Sequence, residues 1–378
     1  MAVTTIQTNN KLIRFTQEIN REWVRENMFS PYQGEAVNSI IRVKNELKAG
    51  GEQMNIPIVA RLTGAGVASG TLVGNEEQID NYGMRVWLDW ARHAVVSNKA
   101  EEQKDSADIF GEAKPLLSDW LSELRRDETI ATMMALPSES QPAAGTRVNG
   151  IQYDLATPAQ RDTWQTNNSD RILYGAATSN TKATHALSLA ECDTTNDKLT
   201  AANLALLKRM AMGANPKIRP FKLRDGYEYY VAFAGLNTFR DLKASLETIN
   251  RDARAREGDG MNRNPLFQDG DQMYDGIIIR QVPEISNFVT DVWTTLKTAG
   301  TGGTVRVEPV FLCGQQAVVM AVGQMAKPTF RKEDDYGFVT GTGIEAAYGI
   351  SKIFKKHGPT NKLIQWGMAT GFFASAAD

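Results

Sequence analysis

Two cysteines, three histidines and thirteen prolines are all that this chain of 378 residues holds of those types, and each scarcity closes off a class of function. Cys192 and Cys313 allow one bridge at most, no framework for so long a chain, so they read as buried free thiols in a reducing compartment. His93, His185 and His357 stand apart, with no His-x-x-x-His or Cys-x-x-Cys partner, which leaves a surface or core histidine as the better reading than a metal ligand. Charge of one sign is missing too. The 42 Lys+Arg against 44 Asp+Glu leave a net −2, whereas a nucleic-acid reader carries a basic domain of pI above about 9. No apolar run approaches the ~18 residues of a membrane-spanning helix, because Gln315-Gln316 interrupts even Phe311 to Val322. Met1-Ala2-Val3-Thr4-Thr5 lacks the charged-then-apolar order of a signal peptide. The expectation is a soluble, cytosolic chain without a membrane partner.

What is present is an ordinary globular composition, 42% hydrophobic and 23% charged, in a chain long enough for a large core and two or three structural units. Leu12, Phe15, Ile19 and Trp23 recur at helical spacing, and Pro31 and Gly34 then end the pattern. This predicts an amphipathic terminal helix that docks on its own domain or reaches to a neighbour. Residues 55–97 read as a long two-stranded ribbon whose strands, Ile56–Leu62 and Met84–Arg92, flank a Gly-rich middle with Glu76, Glu77 and Asp80. An isolated ribbon is marginal in water, so it needs a surface to lie on. A long helix is predicted from about 103 to 134, kinked or restarted at Pro115. Residues 137–195 are polar and poorly periodic, which suggests a loop-rich inserted surface element containing one strand, Arg171–Gly175. The second half reads as α/β. Helices are expected at 200–212 and 237–256, and strands at 227–233, 276–282, 308–313, 346–354 and 363–374. A further helix is expected at 314–323.

Catalytic patterns fail on their own terms. Gly64-Ala-Gly66-Val-Ala-Ser-Gly70 follows a strand as a dinucleotide loop does, but the helix that must receive the pyrophosphate does not follow it. Gly341-Thr-Gly343 has no acidic residue some twenty positions on. Asp269 and Asp271 begin a calcium-loop spacing that then offers Tyr274 and Arg280 where Gly and Glu are required. Arg251, Arg254 and Arg256 are interleaved with Asp252 and Glu257 and read as a solvated helix face. The chain is expected to be no enzyme and to use no cofactor or metal. An arm, a ribbon without obvious support and scattered aromatics point instead to surfaces completed by other copies of the same chain.

Several blocks carry a resemblance. They are Thr71-Leu-Val-Gly-Asn-Glu-Glu-Gln-Ile-Asp80 leading into Val86–Val96, Gly226-Tyr-Glu-Tyr-Tyr-Val-Ala-Phe233, and Arg254 through Asn264-Pro-Leu-Phe267 to Tyr274-Asp-Gly-Ile-Ile-Ile279. Glu308-Pro-Val-Phe-Leu-Cys-Gly-Gln-Gln-Ala317 and Asp335-Tyr-Gly337 through Gly349-Ile-Ser-Lys-Ile-Phe354 complete the set. In order and spacing they resemble the major capsid proteins of tailed bacteriophages, in the branch typified by the large coat protein of coliphage N-four. The match spans about residues 50–375 and is weakest over 137–195.

The resemblance implies an α+β, Hong Kong 97-type coat fold. Its parts would be an N-terminal arm (1–45), an extended β-ribbon loop (46–98), a peripheral domain with a long spine helix (99–195 and 326–378) and an α/β axial domain (196–325). It also implies a coat protein that self-assembles into hexamers and pentamers of an icosahedral shell around double-stranded DNA. Portal, separate scaffolding and decoration proteins would be its partners, the virion capsid its destination and the bacterial cytoplasm its place of assembly. Trp23, Phe29, Trp87 and Trp90 are then candidate inter-subunit anchors, unless they serve the subunit's own core. Glu76, Glu77 and Asp80 are candidates for charged contacts with a neighbour. Gly64, Gly66, Gly70, Gly74 and Gly83 would supply φ freedom for varied neighbour angles. Near-neutrality suits a container through which DNA must slide, since a basic wall would hold phosphates. A cellular nanocompartment shell of the same fold is the second reading.

Overall fold

A computed structural model describes residues 22, 24–62, 64–104, 109–222, 228–254, 271–331, 336, 338–357 and 360–375. The expected terminal helix, with Leu12, Phe15, Ile19 and the candidate anchor Trp23, lies outside the described residues.

Two sheets organise the chain. The seven-stranded sheet runs in the order Asp271–Tyr274, Ile277–Gln281, Glu228–Ala234, Arg306–Cys313, Met368–Ser375, Ile172–Tyr174, with Phe221–Lys222 added on Glu228–Ala234. Its central strands are buried from both sides, which is why they read as unbroken apolar runs (Val310-Phe-Leu-Cys313, Phe372-Phe-Ala374). Helices Ala201–Gly213 and Leu236–Arg254 cover one face through Leu204, Leu207, Leu242 and Leu246. Phe233, Phe311, Phe372 and Val307 face the larger core on the other side.

The six-stranded sheet runs Gln33–Gly34, Ile41–Lys44, Val318–Phe330, Val339–Lys352, Asp89–Asn98, with Val148–Asn149 beside Val339–Lys352. The sheets cross the expected domain boundaries: Met368–Ser375 and Ile172–Tyr174 join the strands of 196–325, and Val318–Phe330 begins before residue 326.

The spine helix is Ala113–Met134. Pro115 sits in its first turn, where a backbone N–H has no intrahelical acceptor to lose, so the helix starts there rather than kinking. Ala113, Leu117 and Leu121 form its buried stripe at spacing four, and Ile130, Met133 and Met134 continue it. Glu128 ties the helix to the sheet. Its carboxylate accepts from the Tyr348 hydroxyl (2.7 Å) and pairs with Arg147 (2.6 Å).

Two expectations fail here. Residues 314–323 are not a helix: a turn at Gly314–Gln316 feeds the strand Val318–Phe330. The cause is ambiguity, since an apolar run such as Val318-Val-Met-Ala-Val322 has no period to separate helix from buried strand. Residues 137–195 are not a surface insertion either. They supply helices Pro158–Asn167 and His185–Ala190, the strand Ile172–Tyr174, and Tyr153, Trp164, Leu189 and Cys192 of the main core.

His185 shows how a polar segment can be core. Its ring is buried and bonded at both nitrogens, to Tyr153 Oη (2.9 Å) and Tyr174 Oη (2.6 Å). Tyr174 donates to Gln165 Oε1 (2.8 Å). It must therefore accept from His185 Nδ1–H, leaving Nε2 to accept from Tyr153. Burial, with Arg161 adding to it, draws the imidazole down from its usual 6.5 to about 3. The folded state refuses a proton that the unfolded chain accepts below 6.5. Stability from this group is therefore complete above pH 6.5 and falls by roughly 1.4 kcal/mol per pH unit towards pH 3. In His185→Gln the pH slope of unfolding free energy between pH 4 and 6 is expected to be shallower by about that amount, read by denaturant titration.

Candidate assembly surfaces

The ribbon pairs Gln53–Val59 antiparallel with Asn81–Trp87, in register from Gln53↔Trp87 to Val59↔Asn81. Its inward residues Met54, Ile56, Ile58, Met84 and Val86 pack on Val319, Ala321, Ile353 and Phe354. The ribbon strands thus lie on their own subunit, contrary to the expectation that other copies provide that surface. The ribbon is also shorter than expected. At Leu88 the buried phase moves from even positions (Met84, Val86) to Ala91, and Asp89–Asn98 leaves to pair with Val339–Tyr348 as the sheet's edge strand.

The crossing is built by two residues that sequence reasoning did not select. The Asn149 side chain behaves as a strand neighbour. It accepts from Trp87 N (2.9 Å) and donates to Trp87 O (3.0 Å). Gly349 lies directly beneath, where any Cβ would collide with the Trp87 carbonyl oxygen. Trp87 itself is half-buried, while Trp90 on the edge strand is 49% exposed.

Beyond the ribbon, the described residues of 60–80 form neither helix nor strand and contribute nothing to the core clusters. The acids that were expected to meet a neighbour are engaged at home. Glu77 Oε2 accepts from Gly64 N (2.7 Å) and Glu76 Oε2 from Gly74 N (2.7 Å). Asp80 is ion-paired with Lys355, and its carbonyl accepts from Ala60 N (2.9 Å), which closes the loop at its root. Positive φ occurs at Gly66, Gly70 and Gly74, in open space. Gly64 and Gly83 have no such φ. They instead let the Glu77 carboxylate and the Asn55 amide approach.

What the loop does not satisfy is its apolar side chains. Leu62, Val67, Leu72, Val73 and Ile79 are all exposed, Leu72 to 66% and Val73 to 78%, as is Val59 at the end of the adjoining strand. Scattered exposed aliphatics are normal, whereas a run of them on one short segment is the pattern that interaction surfaces show. A second set lies on the six-stranded sheet, where Met325 and Phe330 of the strand Val318–Phe330, and Phe338 just before Val339–Lys352, are exposed. The signal available in the sequence was the pair Leu72-Val73 inside a polar, glycine-rich loop.

The arm behaves differently. Phe29 is fully buried in its own subunit, edge-on to Phe233 at 5.0 Å, so it is a core residue and not an inter-subunit anchor. Tyr32 packs on the same ring at 5.5 Å and accepts from Arg280 Nε at 2.6 Å. Behind it, Arg126 of the spine helix pairs with Asp127 (2.9 Å), Glu123 (3.2 Å) and Glu284 (3.4 Å), which fastens the spine to the helix Pro283–Asp291. Both cysteines are free and buried, and burial pushes the Cys313 thiol up to about 12. Among the described residues no cluster of side chains suits a metal ion, and no helix is long and apolar enough to cross a membrane.

Comparison with known proteins accounts for this architecture. A family model described as phage capsid protein matches residues 5–371. The major capsid protein of Pseudomonas phage KPP25 is 25% identical over 336 residues, covering 85% of this chain and 83% of that protein. The capsid asymmetric unit of cyanophage Pam1 contains a chain 33% identical to this one, with a TM-score of 0.86 and all of both chains covered. The capsid of Ralstonia phage GP4 shares the fold at 18% identity, with a TM-score of 0.69 over 100% of this chain and 99% of that one. The fold is the Hong Kong 97-type coat fold, and a nanocompartment shell is not favoured. The family match, the curated relative and the capsid neighbours make this a structural subunit that assembles with its own copies into a virion capsid, and the chain belongs to the phage capsid protein family as a major capsid protein.

Proposed function

We propose that each subunit lays its 60–80 loop on a neighbouring copy, and that this contact closes hexamers and pentamers into an icosahedral shell around the double-stranded DNA of a tailed phage. The observation that carries the reading is the loop's run of uncovered aliphatics on a ribbon already satisfied by its own subunit. The loop therefore has apolar surface to offer and nothing at home to bury it on. The glycines at 66, 70 and 74 let one sequence adopt the different bends that six-fold and five-fold neighbours require. Trp90 and the exposed Met325, Phe330 and Phe338 would extend the contact along the peripheral sheet.

The working division is arm, ribbon with loop, spine helix with the six-stranded sheet, and an axial part built on the seven-stranded sheet. Assembly takes place in the bacterial cytoplasm, with a portal, a separate scaffolding protein and decoration proteins as partners, and DNA touched only non-specifically. The net charge of −2 agrees with a wall that does not grip phosphates. Deletion of residues 63–80 tests the reading by electron microscopy of the purified chain: shells are expected from the wild type and not from the deletion. Shells of unchanged size and stability from the deletion would overturn it.

A further inference from the structure

Lys352 ends the strand Val339–Lys352, paired with Val318, at the place where the two main sheets meet. It is 2% exposed, and its Nζ has no hydrogen-bond partner. Nζ lies 5.5 Å from the centre of the Trp164 ring, which belongs to the helix Pro158–Asn167. The ionisable group acting on it is the buried thiol of Cys313, at the end of the strand Arg306–Cys313 in the other sheet. Beyond the Trp164 ring stands His185, itself held neutral. Arg171, also buried nearby, is a second cation, and its carboxylate Asp170 is already paired with it at 2.9 Å. Among the described residues no carboxylate acts on Lys352. Other polar atoms around this helix are unpartnered as well, among them Trp164 Nε1, the Gln365 amide and Thr370 Oγ1. Gln365 N donates to Asn168 Oδ1 at 2.8 Å, one helical turn from Trp164.

An ammonium taken out of water without a counter-ion is costly enough that the group gives up its proton instead. A Trp face offers a cation only modest compensation. We propose that the folded subunit carries Lys352 as the uncharged amine, and that protonation there loosens the junction between the two sheets. Burial draws the ammonium down from its ordinary 10.5 to about 7, in keeping with this geometry. Between those values the unfolded chain holds a proton that the folded one does not. The folding equilibrium therefore gains about tenfold per pH unit from this group as pH rises from 7. It loses that gain as pH falls back through the folded value. Cys313 opposes it only above its ordinary 9, so pH 7 to 9 is the clean window. The inference concerns the subunit alone and holds whether or not the 60–80 loop closes the shell.

Chemical unfolding of the wild-type chain, Lys352→Met and Lys352→Arg between pH 7 and 9 decides it. Lys352→Met keeps the volume without the amine. It is expected to be at least as stable at pH 7, with a pH slope shallower by about tenfold per unit in the equilibrium constant. Lys352→Arg cannot shed its proton and is expected to yield little folded protein at any of these pH values. A Lys352→Met slope equal to that of the wild type, or a Lys352→Arg chain as stable as the wild type, would overturn the proposal. If neither variant folds, the wild-type slope alone decides: stability that does not rise between pH 7 and 9 contradicts it.

Discussion

Deleting residues 63–80 is expected to leave a folded subunit that no longer closes into shells. The expectation has two halves, each with its own cause. The fold survives because no described residue of the loop belongs to a core cluster. Gly64 bonds to Glu77 and Gly74 to Glu76 within the loop, and the Asp80–Lys355 pair ties its root to the body. Val59 and Asn81 are register partners, so Ala60, Arg61 and Leu62 would remain as a three-residue hairpin connection, a length that antiparallel strands accept. Shell closure is lost because the deletion removes Val67, Leu72, Val73 and Ile79 at once. Full burial of such a side chain is worth roughly 1.5–3 kcal/mol. A loop buried on a neighbour would therefore contribute several kcal/mol per contact before the cost of ordering it is subtracted. Circular dichroism and thermal melting would show the first half, and electron microscopy the second.

Gly349→Ala is expected to be the most damaging single-methyl change in the peripheral sheet. Gly349 sits where the neighbour of the strand Val339–Lys352 changes from Asp89–Asn98 to Val148–Asn149, and where the Trp87 carbonyl passes directly over its Cα. An added Cβ would meet backbone rather than a side chain that can swing aside. The two Asn149–Trp87 hydrogen bonds that fix the ribbon root would have to give. Overpacking of this kind costs roughly 1–3 kcal/mol, and re-aiming the ribbon should also reduce shell yield. Gly74→Ala is the informative contrast. It has a φ of +89° but open space around it in a loop that can relax, so a smaller loss of thermal stability is expected. Comparable melting temperatures for the two variants would refute the crowding argument at Gly349.

Much of the fold was legible in the sequence. The helices at 201–213 and 236–254 and the strands at 228–234, 277–281, 306–313 and 368–375 declare themselves by period or by apolar runs between turn residues. The missed elements share a cause: their meaning lies in contacts distant along the chain. Trp164, Tyr174 and His185 look like isolated residues in a polar stretch until Phe372, from the far end of the chain, joins their aromatic cluster. The alternation Val86, Leu88, Trp90 continues on paper through the break at Leu88, because a change of partner leaves no mark on periodicity. Phe29 and Trp90 are both large aromatics, and only the fold separates the core residue from the exposed one. For the loop, charge was misleading. Glu76, Glu77 and Asp80 attract notice as a group, yet they stabilise the loop and its root, while the adjacent Leu72 and Val73 carry the unsatisfied surface.

Electron cryomicroscopy of particles assembled from this chain tests the role of the loop most directly. Leu72 and Val73 should be buried against an adjacent subunit in every hexamer and pentamer position, with the ribbon strands still lying on Val319 and Phe354 of their own subunit. A closed shell in which residues 60–80 project into solvent without touching a neighbour would contradict it.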